Sequence, residues 1–360
     1  MVQFDGPFGK IGPGYLYRGA RDPPAEPTQS FHGKTVLVTG CNTGVGYQAA
    51  LKIAALNPKR LILGTRTLAK GEATRDKILA QTPSLSRSVI DIFEIEYTSF
   101  RSVIGFAEAI KDSTSALDCV LLSAGLINPS YVATSEDGVG TWDMAIKVNV
   151  LSTALLAIEL LPLLRRTSGS ILEFVGSTGY CNVTSQQIRP VLDRTTNSMS
   201  TEDVDALKFF NDEKRWNPEG SYCEAKLLLM FVLQGLVESL GGSQGRLSPL
   251  KGEIQRDSGP IILACCPNQT KTDLGRNFPV GMKVFMFFWN SVFARTAEQG
   301  SRTLVSGLTL GEEANGRMWS NDRFDDRSPN ITASEWEGLQ KVVWKEIVQV
   351  LKGYKPDLAI

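Results

Sequence analysis

Tyr222 and Lys226 lie four residues apart in Tyr-Cys-Glu-Ala-Lys, one turn along a helical pattern, so their side chains share a face. A phenol titrates at about pH 10, and an ammonium one turn away favours the phenolate, so the pair could give or take a proton nearer neutrality. That is the proton transfer a carbonyl oxygen needs on becoming an alcohol, or the reverse. Alone the pair is weak evidence, because tyrosine and lysine at this spacing recur on solvated helix faces. His32 is the single histidine and lies before the first strand, which excludes histidine-based triads and most zinc sites, so no metal is expected.

A second cluster is more specific. The strand-like run Val36 to Thr39 enters Gly40-Cys-Asn-Thr-Gly44-Val-Gly46 and then a helical pattern, the context that makes glycines a dinucleotide signal. Gly40 permits the tight turn, Gly44 lets backbone approach a pyrophosphate, and Gly46 lets helix and strand pack closely, with Asn42, Thr43 and Val45 between them at the helix N-terminus. At the end of the next strand, where an acid would hold the ribose of NAD, the chain reads Gly64-Thr65-Arg66. An arginine fork suits a 2′-phosphate, so NADP(H) is the expected cofactor, against the alternative of a solvated surface arginine.

These residues need a scaffold, and the patterning supplies one. Apolar runs at Thr35–Thr39, Arg60–Gly64, Ile90–Ile95, Cys119–Leu122, Ser170–Val175 and Pro260–Cys266 alternate with helical patterns at 47–56, 68–79, 100–111, 140–164 and 222–240. The rhythm predicts an α/β domain with a doubly wound parallel sheet, the Rossmann fold. Residues 1–32 read as an N-terminal arm, 33–325 as one domain, and 326–360 as a C-terminal helical tail. Between strand and helix, residues 180–221 form an insertion, too long for an ordinary connection and so read as functional.

Composition narrows the partners. In 360 residues, 42% are hydrophobic and 21% charged, and basic and acidic residues both number 38. The balance leaves no electrostatic footprint for nucleic acid and favours a small-molecule partner. Six cysteines without metal-ligand spacing read as reduced thiols, and the polar, Gly/Pro-rich N-terminus does not read as a signal peptide, so a cytoplasmic location is expected. The aromatic-aliphatic run 284–293 is about half a bilayer span, and no transmembrane segment is expected.

Taken in order, Thr39-Gly-x-x-x-Gly-x-Gly46, Ser123-Ala-Gly125, Asn149 in Lys147-Val-Asn-Val, Ser177 in Val175-Gly-Ser, Tyr222-x-x-x-Lys226 and Pro267 to Thr272 resemble the short-chain dehydrogenases/reductases over residues 33–325. Glu136-Asp-Gly138 and Arg295-Thr-Ala-Glu-Gln-Gly300 resemble fungal members associated with secondary metabolism. The resemblance implies four catalytic residues. Tyr222 is the proton donor or acceptor, Lys226 also binds the nicotinamide ribose, Ser177 (or its neighbour Thr178) bonds the substrate oxygen, and Asn149 holds a helix kink and a relaying water. It implies cofactor contacts at Glu96, Ser123, Ala124, Gly125, Pro267, Thr270 and Thr272 as well as the glycine loop. The chain departs from the family at Ser123, where Asn is usual, at Glu96, where Asp is, at Asn268, where Gly is, and at Ala225, where Ser is common.

The implied reaction is NADP(H)-dependent hydride transfer between nicotinamide and a bulky carbonyl or alcohol, the work of a ketoreductase or alcohol dehydrogenase. Two other readings stay open: a non-catalytic dinucleotide-binding regulator, and an enzyme of the same fold with a non-redox outcome. The insertion and the region 274–295 are expected to form lid and wall over the substrate. A homo-oligomer is compatible with the sequence.

Overall fold

The computed structural model describes residues 12–136, 140–197, 205–241, 259–325, 327 and 331–360. Residues 1–11 of the arm, Asp137 and Gly138 of the Glu136 motif, and 198–204 of the insertion lie outside the described residues.

In chain order the elements are α1 (Pro13–Arg21), β1 (Thr35–Thr39), α2 (Gly44–Ala55), β2 (Arg60–Thr65), α3 (Leu68–Gln81), β3 (Ile90–Glu94), α4 (Phe100–Ser113) and β4 (Cys119–Leu122). A hairpin β5 (Ala133–Glu136) and β6 (Gly140–Asp143) follows, then α5 (Met144–Ile146), a π-helical turn over Lys147–Ser152, α6 (Thr153–Leu164) and β7 (Ile171–Val175). Next come α7 (Arg189–Asn197), α8 (Ala206–Phe210), α9 (Pro218–Ser239) and β8 (Ile261–Cys265). The chain closes with α10 (Val280–Phe293), α11 (Ala297–Gly307), β9 (Met318–Ser320), β10 (Arg323–Phe324) and α12 (Ala333–Tyr354).

The sheet runs β3-β2-β1-β4-β7-β8-β9-β10, parallel throughout except for β10. Strand order therefore reverses between β1 and β4, the crevice where doubly wound sheets bind ligands. Its inner strands β1, β2, β4 and β8 are buried along nearly their whole length because both faces are covered. Leu37, Ile62, Leu122 and Phe174 pack under α4, α6, α9 and α12, while Val36, Leu63, Leu121 and Leu263 pack under α2 and α11. Among the described residues, two helical segments, Met144–Leu164 and Pro218–Ser239, are apolar and long enough to cross a membrane, but 94% and 72% of their apolar 18-residue stretches are buried inside this core.

Three segments differ from their sequence pattern. The helix expected from Gly140 begins at Met144, because Gly140 to Asp143 pair with Ala133 to Glu136 and Asp143 caps the helix by accepting from the Ala145 N–H. The helix expected from Tyr222 begins a turn earlier, where Asn217 accepts from the Gly220 N–H and Pro218 occupies the first turn. Asn-Pro-Glu is a readable start signal. The arm carries α1, whose Gly19 carbonyl accepts from buried Arg295, and Phe31 is fully buried.

One face of the insertion's described segments packs as core. Ile188, Val191, Leu192, Leu207 and Phe210 join Trp336, Leu339 and Val343 of α12. The Glu346 carboxylate accepts from the Ala206 and Leu207 N–H groups. The insertion and the C-terminal helix thus form one packed unit against α9.

Glu136 ties several elements together. It accepts from Phe100 and Arg101 at the N-terminus of α4, from Ser99, and from buried Lys147 at 2.8 Å, whose ammonium sits 3.3 Å from the centre of the Phe100 ring. Burial pushes the Glu136 carboxyl up, but Lys147 and the two N–H groups outweigh it and hold the group at about 2. A depressed folded value stabilises fully above the unfolded value of about 4.3 and is lost as pH falls toward 2. Glu136→Gln should therefore lower the melting temperature by several degrees at pH 7, with the gap to wild type shrinking as pH falls through that window. A pH-independent gap in thermal melts would exclude the ionised pair as the cause.

Candidate active site

Gly40 ends β1 with φ +65°, and a Cβ there would lie 2.7 Å from the Ala124 nitrogen. A Cβ on Gly46 would lie 2.4 Å from the Gly40 carbonyl oxygen and 2.8 Å from Ser123 Oγ. Both positions therefore require glycine, and both press the loop onto Ser123 and Ala124 at the end of β4. Thr43 precedes α2 without a side-chain cap, so the first N–H groups of that helix are left for an anion. Ser123 Oγ is buried with no partner among the described residues. A tight glycine cradle, an uncapped helix start and an orphaned hydroxyl suit a dinucleotide phosphate.

Thr272 approaches from β8's far side, its Cβ 3.3 Å from a Cβ built on Gly44, and Thr270 and Val45 meet over Gly300. Thr270 Oγ1 donates within its own turn to the Pro267 or Asn268 carbonyl. Asn268, at the position where the family pattern has glycine, takes φ +59°, and asparagine is the side chain that tolerates this region best. Asn42 and Val45 are half-buried and Thr43 exposed in the loop. Arg66 is exposed just past β2. Glu96 is half-buried and spends one carboxylate oxygen on the Thr98 N–H of its own turn.

Asn149 sits in the π-helical turn and is 2% exposed. Its Nδ2 donates to the Leu126 carbonyl and its Oδ1 accepts from the Leu126 N–H, each at 2.9 Å. It thereby stitches the wide turn to the segment after β4, with its Oδ1 3.1 Å from a Cβ built on Gly125. Side-chain bonds to a distant strand end explain why this helix widens there.

Forty-four residues separate Ser177 from Tyr222, yet the Tyr222 hydroxyl is hydrogen-bonded to Ser177. The fold achieves this by packing the turn Thr178–Asn182 against α9. Ser177 Oγ also accepts from the Gly179 N–H at 3.1 Å.

Lys226 behaves differently from the sequence expectation. It shares a helix face with Tyr222 but its Nζ donates to the Val175 carbonyl at 2.8 Å and lies 5.8 Å from the Tyr222 ring centre. Burial lowers the Lys226 ammonium to about 8, partly opposed by the Cys266 sulfur. Burial raises the Tyr222 phenol above its ordinary value, against the Ser177 hydrogen bond. Each group is driven toward its neutral form because neither charge is solvated.

Sequence reasoning missed Cys266, Asn128 and Trp216. The Cys266 sulfur accepts from the Thr178 and Asn268 N–H groups, so it pins the turns on either side of the tyrosine. Asn128, 5% exposed with Nδ2 unpartnered among the described residues, lines a small cleft with Ile127, Trp216, Pro218, Ser221 and Tyr222. No spacing rule points to them, since they come from three separate connections.

A doubly wound sheet with its glycine loop at the switch point defines an α/β protein of the dinucleotide-binding class. The sequence profile described as short chain dehydrogenase matches residues 34–187. The short-chain dehydrogenase sdnK of Sordaria araneosa is 53% identical over 98% of this chain and 99% of that protein. The short-chain dehydrogenase/reductase ffsI of Aspergillus flavipes is 35% identical over 94% of this chain and 92% of that protein. Among solved structures, a short chain dehydrogenase of Shigella flexneri described as complexed with NADP aligns with a TM-score of 0.53 and 17% identity, covering 82% of this chain and all of that one. The chain belongs to the short-chain dehydrogenase/reductase family of oxidoreductases and resembles its fungal members.

Proposed function

We propose that this protein is a cytosolic NADP(H)-dependent ketoreductase or alcohol dehydrogenase acting on a bulky, largely apolar intermediate of secondary metabolism. The observation that carries the reading is the meeting of Tyr222 and Ser177 across a long insertion, beside Lys226 and Asn149. The bound nicotinamide would supply or accept the hydride.

The chain's own residues handle the proton. A Tyr222 phenol held protonated by burial is the form that can donate to an alkoxide oxygen, with Ser177 orienting that oxygen. Lys226, lowered only to about 8, stays largely charged at pH 7 and lies one helical turn from the phenol. Asn149 fixes the π-helical turn and the approach to Lys226. Gly40, Asn42, Thr43, Gly44, Val45 and Gly46 would cradle the pyrophosphate, Ser123, Ala124 and Gly125 would underlie the adenine side with Glu96 at its rim, and Pro267, Thr270 and Thr272 would close over the nicotinamide end. Trp216 and Pro218, at the end of the insertion, form the lid side of the cleft, and no residue of 274–295 lines it.

Arg66 is assigned to the 2′-phosphate. Arg66→Asp should weaken NADPH by about a hundredfold while leaving NADH within a fewfold, since a like charge replaces a bidentate partner. Consumption of each coenzyme with a panel of apolar ketones tests both the reaction and the assignment. No consumption with any ketone, while NADPH still binds, would favour a non-catalytic regulator. Turnover of substrate without change in coenzyme absorbance would favour a non-redox outcome.

A further inference from the structure

α10 is apolar and almost unsupported. None of its 14 residues is buried, and Val280, Phe287 and Phe288 are 77%, 71% and 65% exposed. At 100° per residue, exposed Val280, Met282, Val284, Phe285, Phe287, Phe288 and Val292 cover more than half the helix circumference. The protein holds it at one end, where Gln269 Nε2 donates to Asn290 Oδ1 at 2.9 Å, and along α1. Trp289 and Phe293 are half-buried and pack ring against ring, and exposed Phe285 stacks on Trp289.

The flanks are basic. Lys271, Arg276 and Lys283 are exposed on or beside the helix, with Asp273 the one acid between 268 and 295. On the neighbouring α1, Tyr17, Arg18 and Arg21 line a surface cavity of about 210 Å³, with Asp22 the one acid among its described lining residues. The whole chain is charge-neutral, so this basic face is a local feature.

We propose that α10 and the arginine cavity of α1 form a docking surface for an anionic lipid bilayer. The exposed apolar arc is wider than the roughly 100° stripe that one packed partner covers, and Lys271, Arg276 and Lys283 flank it, the combination that seats a helix in an anionic interface. With 14 residues the helix is about 21 Å long, short of the roughly 30 Å hydrocarbon core, so it lies in the interface and does not span. The cavity takes a phosphate or carboxylate of a lipid headgroup beside Arg18 and Arg21. The inference stands apart from the assigned reaction, because none of these side chains belongs to the catalytic set.

Flotation with phosphatidylcholine vesicles, with and without phosphatidylserine, tests it on the full chain. Wild type should float with the anionic vesicles and much less with the neutral ones. Phe287→Asp/Phe288→Asp should remain at the bottom with both, with unchanged melting temperature and NADPH binding; Phe287→Ser carries the same test should the double variant melt early. Arg18→Gln and Arg21→Gln should each weaken anionic binding about fivefold and leave neutral binding unaltered. Wild type that ignores both vesicles overturns the proposal, as does a lipid-free dimer that the phenylalanine substitutions abolish.

Discussion

Tyr222→Phe should lower ketone reduction by roughly a hundredfold to ten-thousandfold, the usual range for loss of a positioned acid. The ring stays, so α9 keeps its packing, and the variant should melt close to wild type and bind NADPH normally. The loss should fall on kcat, with little change in KM, because the hydroxyl acts on charge that develops only in the transition state. The structure gives the substitution a second readout. Ser177 loses its phenol partner while keeping the Gly179 N–H, so the serine is not left unpaired and its turn should hold. Single-turnover reduction at saturating coenzyme separates chemistry from release. A variant that reduces ketones at near wild-type rate would reassign the proton donor.

Gly46→Ala should be the most damaging single methyl in the cofactor loop. The new Cβ would fall 2.4 Å from the Gly40 carbonyl and 2.8 Å from Ser123 Oγ. The first is backbone and cannot rotate away, so α2 must move off the end of β1. Overpacking of this kind costs about 1–3 kcal/mol of stability. The larger effect should be on coenzyme: shifting the helix start by even an ångström misplaces the N–H groups offered to the pyrophosphate, with an expected affinity loss on the order of a hundredfold. Fluorescence titration with NADPH and with NADH checks it. Both should weaken together, which distinguishes this loop from Arg66, where only the phosphorylated coenzyme suffers. Unimpaired binding of both coenzymes would show that the dinucleotide sits elsewhere.

The sequence by itself determined six of the sheet's eight strands; β9 and β10 carried no readable pattern. β1, β2, β4, β7 and β8 are short, largely apolar runs separated by helical periodicity, and such a run has nowhere to go but between two helix layers, while β3, with Asp91 and Glu94, sits at the edge. It also marked the glycine loop, whose constraints are local: Gly40 and Gly46 are required by atoms of their own turn and of the adjacent strand end. Tertiary structure decided what local rules cannot reach. The tyrosine and serine meet because the turn after Ser177 packs against α9, and the insertion between them is taken up by α12 through side chains more than a hundred residues apart, such as Ile188 and Leu339. Lys226 turns to the Val175 carbonyl, not toward the phenol, because a buried ammonium takes the nearest acceptor, and helical spacing says nothing about where acceptors lie. Cys266 and Asn128 enter the site from connections whose positions only the assembled sheet defines. An aromatic run such as 284–293 reads the same whether it is core, wall or exposed surface, since composition fixes the hydrophobicity of a segment and the surrounding fold fixes what covers it.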